Sequence, residues 1–160
     1  MPGAATRLGA LFSLLIVAFL VLACGDGTGE RVEVRAGDLT IQAEVARTVE
    51  EQAQGLSGRG SLPRDAGMLF VLEEEGRPGF WMKDMRFPLD FIWISRDRRV
   101  VDLTENVPDP ETAGTTVSGI QPDQPALYVL EVNAGVVPEY GVQVGDPVTF
   151  APDVVPAATP

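Results

Sequence analysis

Leu89-Asp90-Phe91-Ile92-Trp93-Ile94 is the stretch whose reading decides the fold. Side chains alternate across a β-strand, so Leu89, Phe91 and Trp93 share one face while Asp90, Ile92 and Ile94 share the other. Both faces are largely apolar, which calls for a strand covered on both sides. Ala126-Leu127-Tyr128-Val129-Leu130-Glu131-Val132 has the same character, with Leu127, Val129 and Glu131 on one side and Tyr128, Leu130 and Val132 on the other. Each strand carries one carboxylate among aliphatic neighbours.

Outward from these two strands, alternation predicts Arg31–Ala36 and Leu39–Val45 as strands joined by a tight turn at Gly37-Asp38. Further strands are expected at Met68–Leu72, Gly79–Met85, Val100–Glu105 and Asp146–Phe150. Thr48-Val49-Glu50-Glu51 reads as a capping box, opening a short helix to about Leu56 that Ser57-Gly58 ends. A second helical turn is expected within Ala134–Tyr140. Asn106–Pro125 is long for a structureless connection, so it is either a functional lid or holds short strand pairing around Thr115–Ile120. The tail Ala151–Pro160 reads as disordered. The expected fold is mainly β with short helices (α+β), a mostly antiparallel sandwich or small barrel over residues 31–150.

Residues 1–23 read as a signal peptide: Arg7 precedes the apolar run Leu8–Leu22. Ala23-Cys24 at its end resembles a bacterial lipobox. The expectation is a chain cleaved before Cys24, lipidated on its sulfur, and held outside the cytoplasm in the cell envelope. The apolar run is short for a span of about 20 residues. Gly25–Glu30 would then be a polar, glycine-rich tether. Cys24 is the only cysteine, so no disulfide can form within the chain.

Among 160 residues there is no histidine, and the formal net charge is −11. The acidic balance argues against nucleic acid and against docking on anionic lipid through a basic face, so the membrane contact is expected to run through the lipid. Histidine-based catalysis and histidine metal sites are excluded, and a lipidated Cys24 removes thiolate chemistry. No cofactor is expected, and no metal motif is present. Asp102, Asp109, Glu111 and Asp123 could offer oxygen to calcium, but they lack the spacing of a calcium loop.

An unpaired buried charge is too costly to keep. Asp90 and Glu131 are therefore expected to be paired, neutralised or at a rim, with Lys83 and Arg59 as available cations. Two readings follow. One is a polar ligand pocket floored by Trp81 and rimmed by Arg59, Lys83, Asp90 and Glu131. The other is a set of structural ion pairs that fix strand register.

The motifs Gln52-x-x-Gly55-Leu56-x-x-Arg59, Gly67-Met68-Leu69-Phe70, Phe80-Trp81-Met82-Lys83-Asp84-Met85 and Pro88–Ile94 follow in order. Ala126–Val132, Ala134-Gly135 and Val144-Gly145-Asp146 come later. Together they resemble the prokaryotic family called domain of unknown function 192, over about Val32–Phe150. The resemblance implies a compact β-rich fold, an extracytoplasmic setting for many members, and no established activity. It also makes Arg59, Trp81, Lys83, Asp90 and Glu131 motif positions.

Two functions are carried forward. The first is a non-catalytic, lipid-anchored binding or interaction module for a small polar ligand or an envelope protein. The second is a carboxylate-dependent hydrolase of envelope polymers, with Asp90 and Glu131 as acid and base and Lys83 tuning them.

Overall fold

A computed structural model describes residues 29–156 of the chain. The segment expected to be a signal peptide, Cys24 and most of the expected tether lie outside the described residues. Among the described residues, no helix is long and apolar enough to cross a membrane.

Nine strands and three short helices follow one another: β1 (Arg31–Ala36), β2 (Leu39–Ala46), α1 (Val49–Gln54), β3 (Ala66–Gly76), β4 (Phe80–Trp81), β5 (Leu89–Ile94), β6 (Val100–Val107), α2 (Pro110–Ala113), β7 (Ser118–Ile120), β8 (Ala126–Asn133), α3 (Val136–Tyr140) and β9 (Val148–Thr149). Seven of the strands form one sheet in the order β6-β5-β8-β3-β2-β1-β9, and β4 pairs with β7 in a small second sheet. All pairings are antiparallel except β2 with β3. The helix-bearing crossover through α1 makes that one parallel step possible.

The large sheet curls until its ends meet. β9 bonds to β1 on one side, while the amide of Val148 donates to the carbonyl of Arg98 and that of Val100 donates to the carbonyl of Asp146. The expected β-rich α+β fold is therefore present as a curled, barrel-like sheet. β5 is buried at every position, as its two apolar faces require.

Two cores result, one on each face. Inside the curl lie Val34, Ile41, Leu69, Ile92, Leu130 and Val132. The opposite face packs Phe70, Met82, Phe91, Trp93, Leu56 and Val129 under α1, β4 and β7. Phe80 caps the second core, edge-on to Phe70, Phe91 and Trp93 at centroid distances of 5.0, 5.8 and 5.5 Å.

The capping box at α1 forms as the sequence predicts: the amide of Glu51 donates to the Thr48 hydroxyl, and the amide of Thr48 donates to the Glu51 carboxylate. The helix ends earlier than expected, at Gln54, because Gly55 caps it at φ +48°. The strand expected over Gly79–Met85 contracts to Phe80–Trp81. The chain turns away after Trp81, with Asp84 at φ +55°. Asn106–Pro125 holds both α2 and the strand β7 within the expected Thr115–Ile120 region. Asp109 caps α2 by accepting from the amides of Glu111 and Thr112, and Asp102 accepts from the amides of Leu103 and Asp123.

The tail is corrected for residues 151–156. Val154 is fully buried against the inner core, and Arg47 donates to the carbonyl of Val155.

Candidate functional site

Register places the candidate residues. One row of paired residues crosses five strands: Glu44 on β2, Met68 on β3, Glu131 on β8, Phe91 on β5 and Thr104 on β6. All five face the outer core. The adjacent row runs Ala43, Gly67, Val132 and Asp90, and faces the inside of the curl. Asp90 and Glu131 therefore point to opposite sides of the same sheet.

That geometry corrects the four-charge pocket and the acid–base pair together. Asp90 is completely buried, and its two oxygens accept from the amides of Asn106 at 2.8 Å and Val137 at 3.0 Å. It ties β5 to the end of β6 and to the start of α3. A carboxylate satisfied by two backbone donors and shut inside the core has no access to a substrate. Lys83 is exposed and makes no ion pair among the described residues. Trp81 is not a floor but a rim, 53% exposed.

Arg59 engages Glu44 on both carboxylate oxygens, each at 2.8 Å. Arg31 approaches the same carboxylate at 3.4 Å. The hydrogen bonds from Arg59 hold the Glu44 carboxyl below its ordinary value, against the opposing effect of burial. Glu44, which the sequence reading passed over, is thus the partner of Arg59. The period-2 pattern places Glu44 on the polar face of its strand. That Arg59 crosses above it is a long-range fact.

Glu131 is different. It is only 5% exposed, and no hydrogen bond or cation reaches its carboxyl among the described residues. Burial alone pushes the group up to about 8, so it is mostly protonated at neutral pH. It lies in the wall of a half-open cleft of about 270 Å³. Phe70, Phe80 and Trp81 line this cleft together with Gln52, Leu56 and Met85. Val49 and Trp81, two of the exposed large apolar side chains, stand at its edge.

The amide of Gln52 is committed, and that of Gln54 in part. Gln52 donates to the carbonyls of Val71, Ala46 and Arg47, and Gln54 donates to that of Ser57. The cleft therefore offers apolar walls, aromatic rings, a few small polar groups such as Ser57, and Glu131 as its one ionisable side chain. Among the described residues no cluster of three metal-ligating side chains occurs.

Two solved structures are similar to the chain. One is a protein of unknown function from Novosphingobium aromaticivorans DSM 12444, at 32% identity and a TM-score of 0.66, covering 74% of this chain and 83% of that one. The other comes from Sinorhizobium meliloti 1021, and its description proposes transcription regulation. It is 29% identical with a TM-score of 0.68, covering 79% of this chain and 98% of that one. Among proteins of curated function, none matches the chain. The family profile of DUF192, described as an uncharacterised ACR, matches residues 31–150, the whole span from β1 to just past β9. The chain therefore belongs to the DUF192 family.

Proposed function

We propose that this chain is a lipid-anchored, extracytoplasmic binding module whose ligand site is the cleft between Trp81 and Glu131. The observation that carries the site is Glu131 itself. Its carboxyl makes no hydrogen bond within the protein, yet no buried side-chain oxygen is left without a partner among the described residues, so its oxygens meet solvent in the cleft. A merely structural position would be served better by an apolar residue. Its exposure to an aromatic-lined cleft is what a ligand site requires.

The cleft volume of about 270 Å³ lies just under the common range of about 300–1,000 Å³ for ligand pockets, which favours a small ligand. The anchor supports a membrane-proximal role. Gly29 lines a shallow hollow that shares Gln54 and Gly55 with the cleft. Four residues separate Cys24 from Gly29, five Cα steps with a reach of at most about 18 Å. A lipid on Cys24 would thus keep the cleft close to the bilayer surface. The formal charge of −11 gives no support to nucleic-acid binding, whatever is proposed for the Sinorhizobium neighbour.

Two measurements test this reading. Radiolabelled palmitate should enter the wild-type chain and not a Cys24→Ala variant, and the variant should leave the membrane fraction. A thermal-shift panel of small envelope metabolites should contain compounds that raise the melting temperature of wild type and not of Trp81→Ala. Soluble, unlabelled wild-type protein would dismiss the anchor. A panel without any Trp81-dependent shift would dismiss the cleft.

A further inference from the structure

Resting on the cleft as the binding site, we propose that its ligand is an organic ammonium ion, held with its nitrogen against the Glu131 carboxylate and its apolar body along Phe70, Phe80 and Trp81. Three observations select a cation over an anion or a purely apolar guest.

First, the cleft contains no charged donor, and the amide groups of Gln52 and Gln54 already donate to backbone carbonyls. An anionic head would find no cation in the lining to pair with. Second, Glu131 is the one ionisable side chain of the lining and has no partner among the described residues. A purely apolar guest would take solvent from that carboxyl and give it no partner in return. Third, Phe70, Phe80 and Trp81 put aromatic rings in the lining, and an ammonium group set over a ring face gains cation–π attraction. The net negative charge of the chain adds a general attraction for cations.

The groups packed around Glu131 leave its titration uncoupled. Met68 on β3 and Phe91 on β5 stand beside it in the sheet. From above, α1 and the turn after it present Gln52, Gly55 and Leu56, β4 presents Phe80 and Trp81, and the segment after β4 presents Met85. None of these ionises. The charged groups on the same elements, Glu50 and Glu51 on α1 and Lys83 and Asp84 after β4, are exposed. Glu44 lies two strands away in the same row and is held by Arg59.

Binding an ammonium ion changes the protonation of the site. The Glu131 carboxyl gives its proton to solvent, and the ammonium takes over as the counter-charge. With the free group titrating at about 8, most of a proton is released per ligand bound at pH 7. Affinity therefore rises with pH up to about 8 and levels off above it. A ligand that accepts a hydrogen bond from the neutral carboxyl would release no proton and would weaken above the same pH.

The test uses the full chain and three probes of one shape: hexylamine, hexanol and hexanoate. Isothermal titration calorimetry at pH 7, in two buffers of different ionisation enthalpy, reads affinity and proton release together. Hexylamine is expected to bind at least tenfold more tightly than the other two and to release close to one proton. Glu131→Gln should bring the three probes to within about threefold of one another and abolish the release. Trp81→Ala, at a half-exposed position, should weaken all three alike. Hexanol or hexanoate binding as tightly as hexylamine, without proton release, overturns the ammonium assignment and leaves the cleft as a site for another ligand class. Failure of all three probes to bind, in wild type and variants alike, overturns both the assignment and the cleft.

Discussion

Asp90 stands opposite Val132 in the β5–β8 ladder, one position away from Glu131, so the two buried carboxyls point to opposite faces of one sheet. They meet the cost of burial in different ways. Asp90 keeps two backbone amides as donors, whereas Glu131 has none and holds a proton instead. The first is a structural clasp. The second is the chemical feature of an open cleft.

The clasp predicts a large stability loss when it is cut. Asp90→Ala leaves the amides of Asn106 and Val137 without their acceptor, at about 1–3 kcal/mol for each. Asp90→Asn retains one good acceptor and should lose about half as much. Urea unfolding of the two variants checks the order. A loss below about 1 kcal/mol in Asp90→Ala would show that the two amides find other partners.

Glu131 predicts a pH dependence of definite sign. Its folded value of about 8 lies above the ordinary 4.5, so between those limits the native state holds a proton that the unfolded chain has released. The contribution of this group is intact below pH 4.5 and declines by about 1.4 kcal/mol per pH unit until about pH 8. Glu131→Gln removes the titration. The stability of the variant relative to wild type should therefore climb from about pH 5 to pH 8 and then stay level. A difference independent of pH across that window would mean that the carboxyl is already ionised in the native state.

Arg59 and Glu44 titrate in the opposite sense. The carboxyl of Glu44 is held below its ordinary 4.5, chiefly by the hydrogen bonds from Arg59. The unfolded chain takes up a proton first as pH falls, so the pair's contribution is fully present above 4.5 and is lost below it. A double-mutant cycle with Arg59→Met and Glu44→Gln should give a coupling of about 1 kcal/mol at pH 7, modest because both groups keep solvent contact. The coupling should fade as the pH drops under 4. No coupling at neutral pH would reduce the pair to a crystal-like contact without energetic weight.

Gly67 predicts intolerance of even one methyl group. A Cβ there would stand 2.7 Å from the carbonyl oxygen of Glu131 and 2.9 Å from Ile41 Cγ2. The first obstacle is backbone of the neighbouring strand and cannot swing aside. Gly67→Ala should cost about 3 kcal/mol or more, by forcing β3 away from β8. Expression of a variant with an unchanged melting temperature would contradict this close approach.

Much of the fold was legible because it is written in short-range alternation. The two-sided apolar pattern of Leu89–Ile94 specified a covered strand, and β5 is buried at every position. Thr48 and Glu51 specified the start of α1, three residues apart on one turn. Gly79–Met85 misled because its alternation continued past the point where the chain turns. Only Phe80 and Trp81 find a partner strand, and that partner is β7, inside the Thr115–Ile120 region where strand pairing was one of two expectations.

The site was legible only as a set of suspects. Charge among apolar neighbours correctly marked Asp90 and Glu131 as residues that burial must accommodate. Their separation onto opposite faces follows from parity within one register, and that register is set when β5 pairs with β8. The pairing of Arg59 with Glu44, and the packing of Val154 into the mouth of the curl, likewise join residues distant in sequence.

By itself, the sequence determined a β-rich domain with a defined first helix, the absence of histidine chemistry, and the identity of the residues that could not be buried without consequence. Periodicity, caps and composition are local properties, and a linear chain carries them in full. Only the tertiary structure decided which carboxyl is clasped and which is left open. That depends on register and on what covers each face, because electrostatic and hydrogen-bond energies turn on ångström distances between segments that meet only when the sheet has closed.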